Sequence, residues 1–175
     1  DLTFNTGAVT ASTTYNVYGT NNNALNFTSN SDYVELTTDN RGIDKEVSVA
    51  AWIKTNSPGL KNIVFDYNGA ADAGYCLRTD ANGNASIQGR DGSGVYKTSG
   101  ASSTDVTNNQ WHYLVGTINL NTGVWSIYVD GVLENSTINT VGGSLANSEV
   151  LKIGGTYSSS TAFIGEIFNV TVWDN

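Results

Sequence analysis

The chain has 175 residues, with 8 Lys and Arg against 16 Asp and Glu, for a formal net charge of −8. That balance argues against a phosphate backbone or an anionic membrane surface as partner, so no nucleic acid is expected. A single cysteine, Cys76, rules out an intrachain disulfide; no apolar run approaches the roughly 20 residues that span a bilayer, so no membrane insertion is expected.

In chain order the sequence reads as about a dozen short strands separated by polar turns, with no sustained helical period. In Val47 to Lys54, the residues Val47, Val49, Ala51 and Ile53 share one face, and Ser48, Ala50, Trp52 and Lys54 share the other. The apolar run Ile63-Val64-Phe65 leads into a loop-like segment, Asp66 to Tyr75, followed by the strand-like Tyr75-Cys76-Leu77-Arg78. Further on, Trp111, Tyr113 and Val115 alternate with His112, Leu114 and Gly116, and Trp125, Ile127 and Val129 alternate with Ser126, Tyr128 and Asp130. Asn121-Thr122-Gly123 turns the chain between these two strands. Asp130-Gly131 turns it again into Val132-Leu133, because an Asp-Gly pair supplies the positive φ values of a tight hairpin. Gly is spread along the chain and Pro occurs only at Pro58, with no linker-like shift in composition and no internal repeat, so no second domain is expected within these residues. Strands of this kind stack as two facing sheets.

The ordered set of segments resembles the laminin-G-like and pentraxin-like branch of the concanavalin A-like jelly rolls. The matching pieces are Ala24-Leu25-Asn26-Phe27 with Tyr33 to Leu36, Val47 to Thr55, Trp111-His112 through Tyr128-Val129-Asp130-Gly131, Leu151 to Gly155, and Phe163 through Trp173-Asp174. The resemblance implies an all-β fold, a jelly-roll sandwich of two antiparallel sheets, over residues 1–175 as a single domain. It also implies a module of a larger protein. Where pentraxins carry a core cystine, this chain aligns Ala50 and Val115.

Two constellations carry candidate chemistry. The loop after Phe65 offers Asp66, Asn68 and Asp72 among flexible glycines, a hard-oxygen set that suits calcium. The resemblance sharpens this, since Asp72 falls where pentraxins carry an acidic calcium ligand. Their further acidic ligands have no counterpart in Gly155 to Ala162, which contains no acid and leaves room for one ion at most. The second set is Tyr67, Arg90, Asp91, Tyr96 and Tyr157, with Tyr75 and Arg78 nearby. Aromatic faces pack on the C–H faces of pyranoses, while Arg and Asp make directional bonds to hydroxyls.

The four tryptophans fall inside strands, which predicts core or inter-sheet packing for most of them. The lone His112 has no nucleophile beside it and reads as structural. Of the five glutamates, none forms the Glu-x-Asp-x-x-Glu array of this fold's glucanases, so no catalysis is expected. The expected function is a non-catalytic, calcium-assisted, lectin-like module that binds a glycan or polysaccharide. Its setting would be extracellular or cell-surface, in a bacterial adhesin or polysaccharide-degrading enzyme. A protein-interaction or spacer domain is the alternative, with a glycoside hydrolase or lyase behind it; a monomer is permitted.

Overall fold

Period-2 strands each have one apolar face, and that face can be buried only against another sheet. The computed structural model describes residues 2–5, 24–36, 43–68, 73–155 and 159–174. Its strands are β1 (Leu2–Asn5), β2 (Leu25–Phe27), β3 (Tyr33–Leu36), β4 (Glu46–Lys54), β5 (Lys61–Asn68), β6 (Ala73–Thr79), β7 (Ala85–Asp91), β8 (Lys97–Thr98), β9 (Trp111–Asn119), β10 (Val124–Val129), β11 (Val132–Ile138), β12 (Lys152–Ile153) and β13 (Gly165–Trp173). Helix among the described residues is confined to one 3₁₀ turn, Ser159–Thr161. One sheet has seven strands in the order β1-β3-β12-β5-β6-β7-β8, and the other has six in the order β11-β10-β9-β4-β13-β2. Every strand pair within them is antiparallel, which is the jelly-roll sandwich that the sequence implies.

The inner faces are those the alternation marks. Val47, Val49, Ala51 and Ile53 of β4 are fully buried, facing Leu77, Ile87 and Val64 of the opposite sheet in one apolar cluster. Gly116 packs directly against the opposite sheet, since a Cβ there would lie 2.7 Å from Cβ of Ile87. The β10–β11 hairpin closes through Asp130 and Gly131 with φ of 51° and 84°, the mirror-image turn that an Asp-Gly pair permits. Ala50 and Val115 are register partners across β4 and β9, so two small apolar side chains meet where a pentraxin would be cross-linked.

Only one tryptophan enters the core. Trp125 is fully buried, Trp52 is half-buried on the outer face of the six-stranded sheet against Tyr113 at 5.1 Å, and Trp111 and Trp173 are exposed. The expected core role for most of them is therefore corrected: Trp52, Trp111 and Trp173 fall on the outward parity of their strands, and strand membership alone does not choose the face. His112 is buried at the start of β9. Its Nδ1 meets Asp130 Oδ2 at 2.8 Å and its Nε2 meets Asn108 Oδ1 at 3.1 Å, tying the hairpin to the preceding loop.

Candidate functional site

The outer face of the seven-stranded sheet is not flat. Across β5, β6 and β7 the register lines up Tyr67, Gly74 and Arg90 in one row and Phe65, Cys76 and Gln88 in the next. Gly74 presents no side chain, so Arg90 reaches over the strand between them and its guanidinium carbon lies 5.9 Å from the Tyr67 ring centroid. Phe65 meets Tyr67 edge-on at 6.2 Å, continuing the aromatic surface along β5. Cys76 is the short residue of the second row, and together Gly74 and Cys76 leave a trough flanked by larger side chains.

That trough is a groove of about 340 Å³, within the usual range of small-ligand clefts. Tyr67, Arg90 and Tyr96 all line it, so three of the sequence-selected ligand residues converge. Tyr96 comes from the loop before β8, is 50% exposed, and donates its hydroxyl to Gln88 Oε1. Arg78 Nη1 donates to the same oxygen at 3.1 Å. Partial burial raises the Tyr96 phenol above its ordinary pKa, offset only in part by the Arg78 cation, so it stays a neutral donor at physiological pH. Asn62 and Thr161 edge the groove, joined by a 3.4 Å bond between Asn62 Nδ2 and Thr161 Oγ1.

Asp91 lies elsewhere. One residue beyond Arg90, it has the opposite parity, and its side chain is buried with Lys97, whose ammonium donates to the Asp91 carboxylate and to Thr140 O at 3.2 Å. Ser93 adds bonds from its backbone N–H at 3.2 Å and its hydroxyl at 2.5 Å. Burial opposes ionisation of Asp91, but the bonds from Lys97 and Ser93 outweigh it and hold the carboxyl below its ordinary pKa. Asp66 also faces inward at 3% exposure, and Asn147 Nδ2 donates to its Oδ1 at 3.3 Å. Asp72, Tyr157 and the side chain of Asn68 lie outside the described residues. Among the described residues no cluster of three or more His, Cys, Asp or Glu side chains could hold a metal.

Cys76 is a free, buried thiol. Burial pushes its thiol up to about 12, the Arg78 cation offsetting only part of this, and Sγ donates to Asn62 Oδ1 at 3.0 Å. The sequence reading missed Phe65, Gln88 and Asn62. An alternation count starting from Tyr67 would place Phe65 on the same face, but Gln88 and Asn62 join the site only through the cross-strand register.

A laminin-G-like family model, described as the concanavalin A-like lectin/glucanases superfamily, matches residues 28–175. No curated protein matches by sequence. Among solved structures, the botulinum neurotoxin serotype D ligand-binding domain in complex with N-acetylneuraminic acid is 19% identical at a TM-score of 0.66, over 87% of this chain and 39% of that one. Domain 4 of AbnA, a GH43 extracellular arabinanase from Geobacillus stearothermophilus, in complex with arabinotriose, is 14% identical at 0.66, over 86% of this chain and 70% of that one. The native heptameric SAP-like pentraxin from Limulus polyphemus is 15% identical at 0.60, over 76% and 67%. At these identities the likeness is one of fold. The chain spans about two fifths of the toxin binding domains it resembles, 43% and 39% in two of them.

Proposed function

This chain belongs to the concanavalin A-like lectin/glucanases superfamily, and from that premise we propose that it is a non-catalytic carbohydrate-binding module of a secreted or cell-surface protein. One observation carries the reading: the groove on the seven-stranded sheet joins the rings of Phe65, Tyr67 and Tyr96 to the directional polar groups of Arg78, Gln88 and Arg90. An aromatic wall for a pyranose face beside forked donors for its hydroxyls is what sugar recognition requires. Two fold neighbours were solved with bound sugars, which supports the same assignment. Glycoside hydrolysis needs two carboxyl groups flanking the bond, and no Asp or Glu lines this groove among the described residues, which favours binding over catalysis. Asp91 leaves the list of contacts and is assigned to the Lys97 pair; Tyr157 stays a candidate contact.

Calcium is a separate part of the proposal. With Asp66 turned inward toward Asn147, the ion would be held by Asp72 with Asn68 or backbone oxygens of the same segment. Thermal unfolding with calcium or chelator, each with a panel of oligosaccharides, tests both parts, because a ligand of the folded state raises the midpoint. A midpoint that no oligosaccharide moves contradicts sugar binding; one that calcium leaves unmoved contradicts the metal.

One observation favours a second reading. The outer face of the six-stranded sheet carries the register row Phe168, Trp52 and Tyr113, with Trp111, Leu133 and Trp173 exposed at 39%, 51% and 42%. Such a face suits a protein partner or an adjoining domain. Light scattering over a concentration series reports self-association, which Leu133→Lys would abolish if this face were responsible.

A further inference from the structure

Resting on the carbohydrate reading, we propose that the buried Asp91–Lys97 pair positions Tyr96 for ligand binding, by buckling the loop of residues 92–96 so that the Tyr96 ring stands as a wall of the groove. Left to itself this loop has little to hold it. Gly92 and Gly94 have φ of 82° and 79°, and every residue from Gly92 to Tyr96 is exposed, so no packing within the loop fixes its path. Yet Tyr96 lines the groove and gives its hydroxyl to Gln88 Oε1.

The two ends supply what the loop lacks. Asp91 is the last residue of β7 and Lys97 the first of β8, and one carboxylate grips both flanks. Its Oδ2 takes the Lys97 ammonium, while its Oδ1 takes the Ser93 backbone N–H at 3.2 Å and the Ser93 hydroxyl. Ser93 Oγ carries the constraint further by accepting the Val95 N–H at 3.4 Å. The buckle is itself anchored, since Ser144 N–H bonds Asp91 O at 2.9 Å and Lys97 also donates to Thr140 O. A buried pair tolerates little displacement, because each charge parted from the other is left uncompensated, so the loop ends are held at a fixed spacing. With Lys97 turned inward onto Asp91, its neighbour Tyr96 is thrown to the outer side, where Gln88 lies.

The test is a double-mutant cycle read by calorimetry, below every melting midpoint, with the tightest binder among arabinotriose, sialyllactose, cellotetraose and galactotetraose. Tyr96→Ala should weaken binding by about tenfold, the loss of one aromatic contact. Asp91→Asn should weaken it by at least about threefold in the parent and by nothing further in the Tyr96→Ala background, because the pair acts only through that ring. Ser93→Ala, which touches neither buried charge, should show the same coupling and carries the test should Asp91→Asn fail to fold. Ile118→Ala, destabilised in the core of the other sheet, should bind as the parent does, which separates positioning from general loss of stability. Equal losses in the parent and Tyr96→Ala backgrounds, unchanged affinity in folded Asp91→Asn and Ser93→Ala, or an equal loss in Ile118→Ala overturns the inference and leaves the carbohydrate reading standing. If no member of the panel binds the parent protein, both fall together.

Discussion

Replacing Asp91 with alanine separates the two roles this residue could play. Its carboxylate is 4% exposed and the facing Lys97 side chain 2%, so the pair is sealed at one end of the sandwich. Ser144 N–H also bonds Asp91 O at 2.9 Å, and Gly143 packs so closely that a Cβ would lie 2.6 Å from Cβ of Asp91. Truncation leaves a buried ammonium with only Thr140 O as partner. Removing one member of a buried pair costs about 3–5 kcal/mol, because the surviving charge loses its compensation. At about 2–4 °C per kcal/mol for a domain of this size, the melting midpoint should fall by about 6–20 °C. Asp91→Leu combined with Lys97→Met removes both charges and should recover most of that loss. Circular dichroism melts of the three variants at neutral pH give the comparison, with glycan affinity measured below each midpoint. A midpoint drop below about 2 °C accompanied by loss of glycan binding would refute the reasoning and return Asp91 to the sugar site.

Other consequences follow from the same geometry. Gly74→Ala should destabilise by at least about 2 kcal/mol in denaturant titration, since Gly74 has φ of 119° and a Cβ would lie 2.1 Å from Asp66 O. Glu134 accepts bonds from the Ser103 and Thr104 backbone N–H groups, both at 2.8 Å, and from their hydroxyls at 3.0 and 2.5 Å. Burial resists its ionisation, but those bonds prevail and hold its carboxyl below the ordinary value. Its stabilisation is therefore complete above the unfolded pKa of about 4.3 and disappears as pH falls through the lower folded value. Glu134→Gln should accordingly be less stable than the parent by about 1 kcal/mol at pH 7, with the gap closing on acidification in a series of melts. Cys76 should resist thiol reagents at neutral pH in the folded protein and react on denaturation; fast labelling of the native protein would contradict its buried, raised-pKa thiol.

Much of the fold is legible where local chemistry and tertiary packing agree. Asp130-Gly131 announces its hairpin because few other pairs adopt two successive positive φ values, and the alternation in Val47 to Lys54 names the core face directly. The reading falters at the bulges. In β13 the extra residue Asn169, with φ of 51°, shifts the inward set from Ile167 to Val170 and Val172, which breaks the period in the sequence. Glu134 is the extra residue opposite Ile127 and Tyr128, so its side chain is re-aimed at Ser103 and Thr104 in a way no pattern shows.

The site was legible in its residue types and not in its assembly. Tyr67, Arg90 and Tyr96 stand out as aromatics and cations among polar neighbours, and the groove unites them. Adjacent Arg90 and Asp91 look like one recognition pair, yet strand parity sends them to opposite faces. The vacancy that lets Arg90 reach Tyr67 belongs to Gly74, whose role exists only once β5, β6 and β7 are in register.

The most direct test of the central claim is a glycan array probed side by side with the parent protein and Tyr67→Ala. The account predicts that the parent binds a defined set of glycans and that the variant, with its fold intact by circular dichroism, loses at least about tenfold in affinity for all of them. Parent binding that survives Tyr67→Ala would place recognition outside the groove, and an array left blank by the parent would contradict the assignment of this module to carbohydrate.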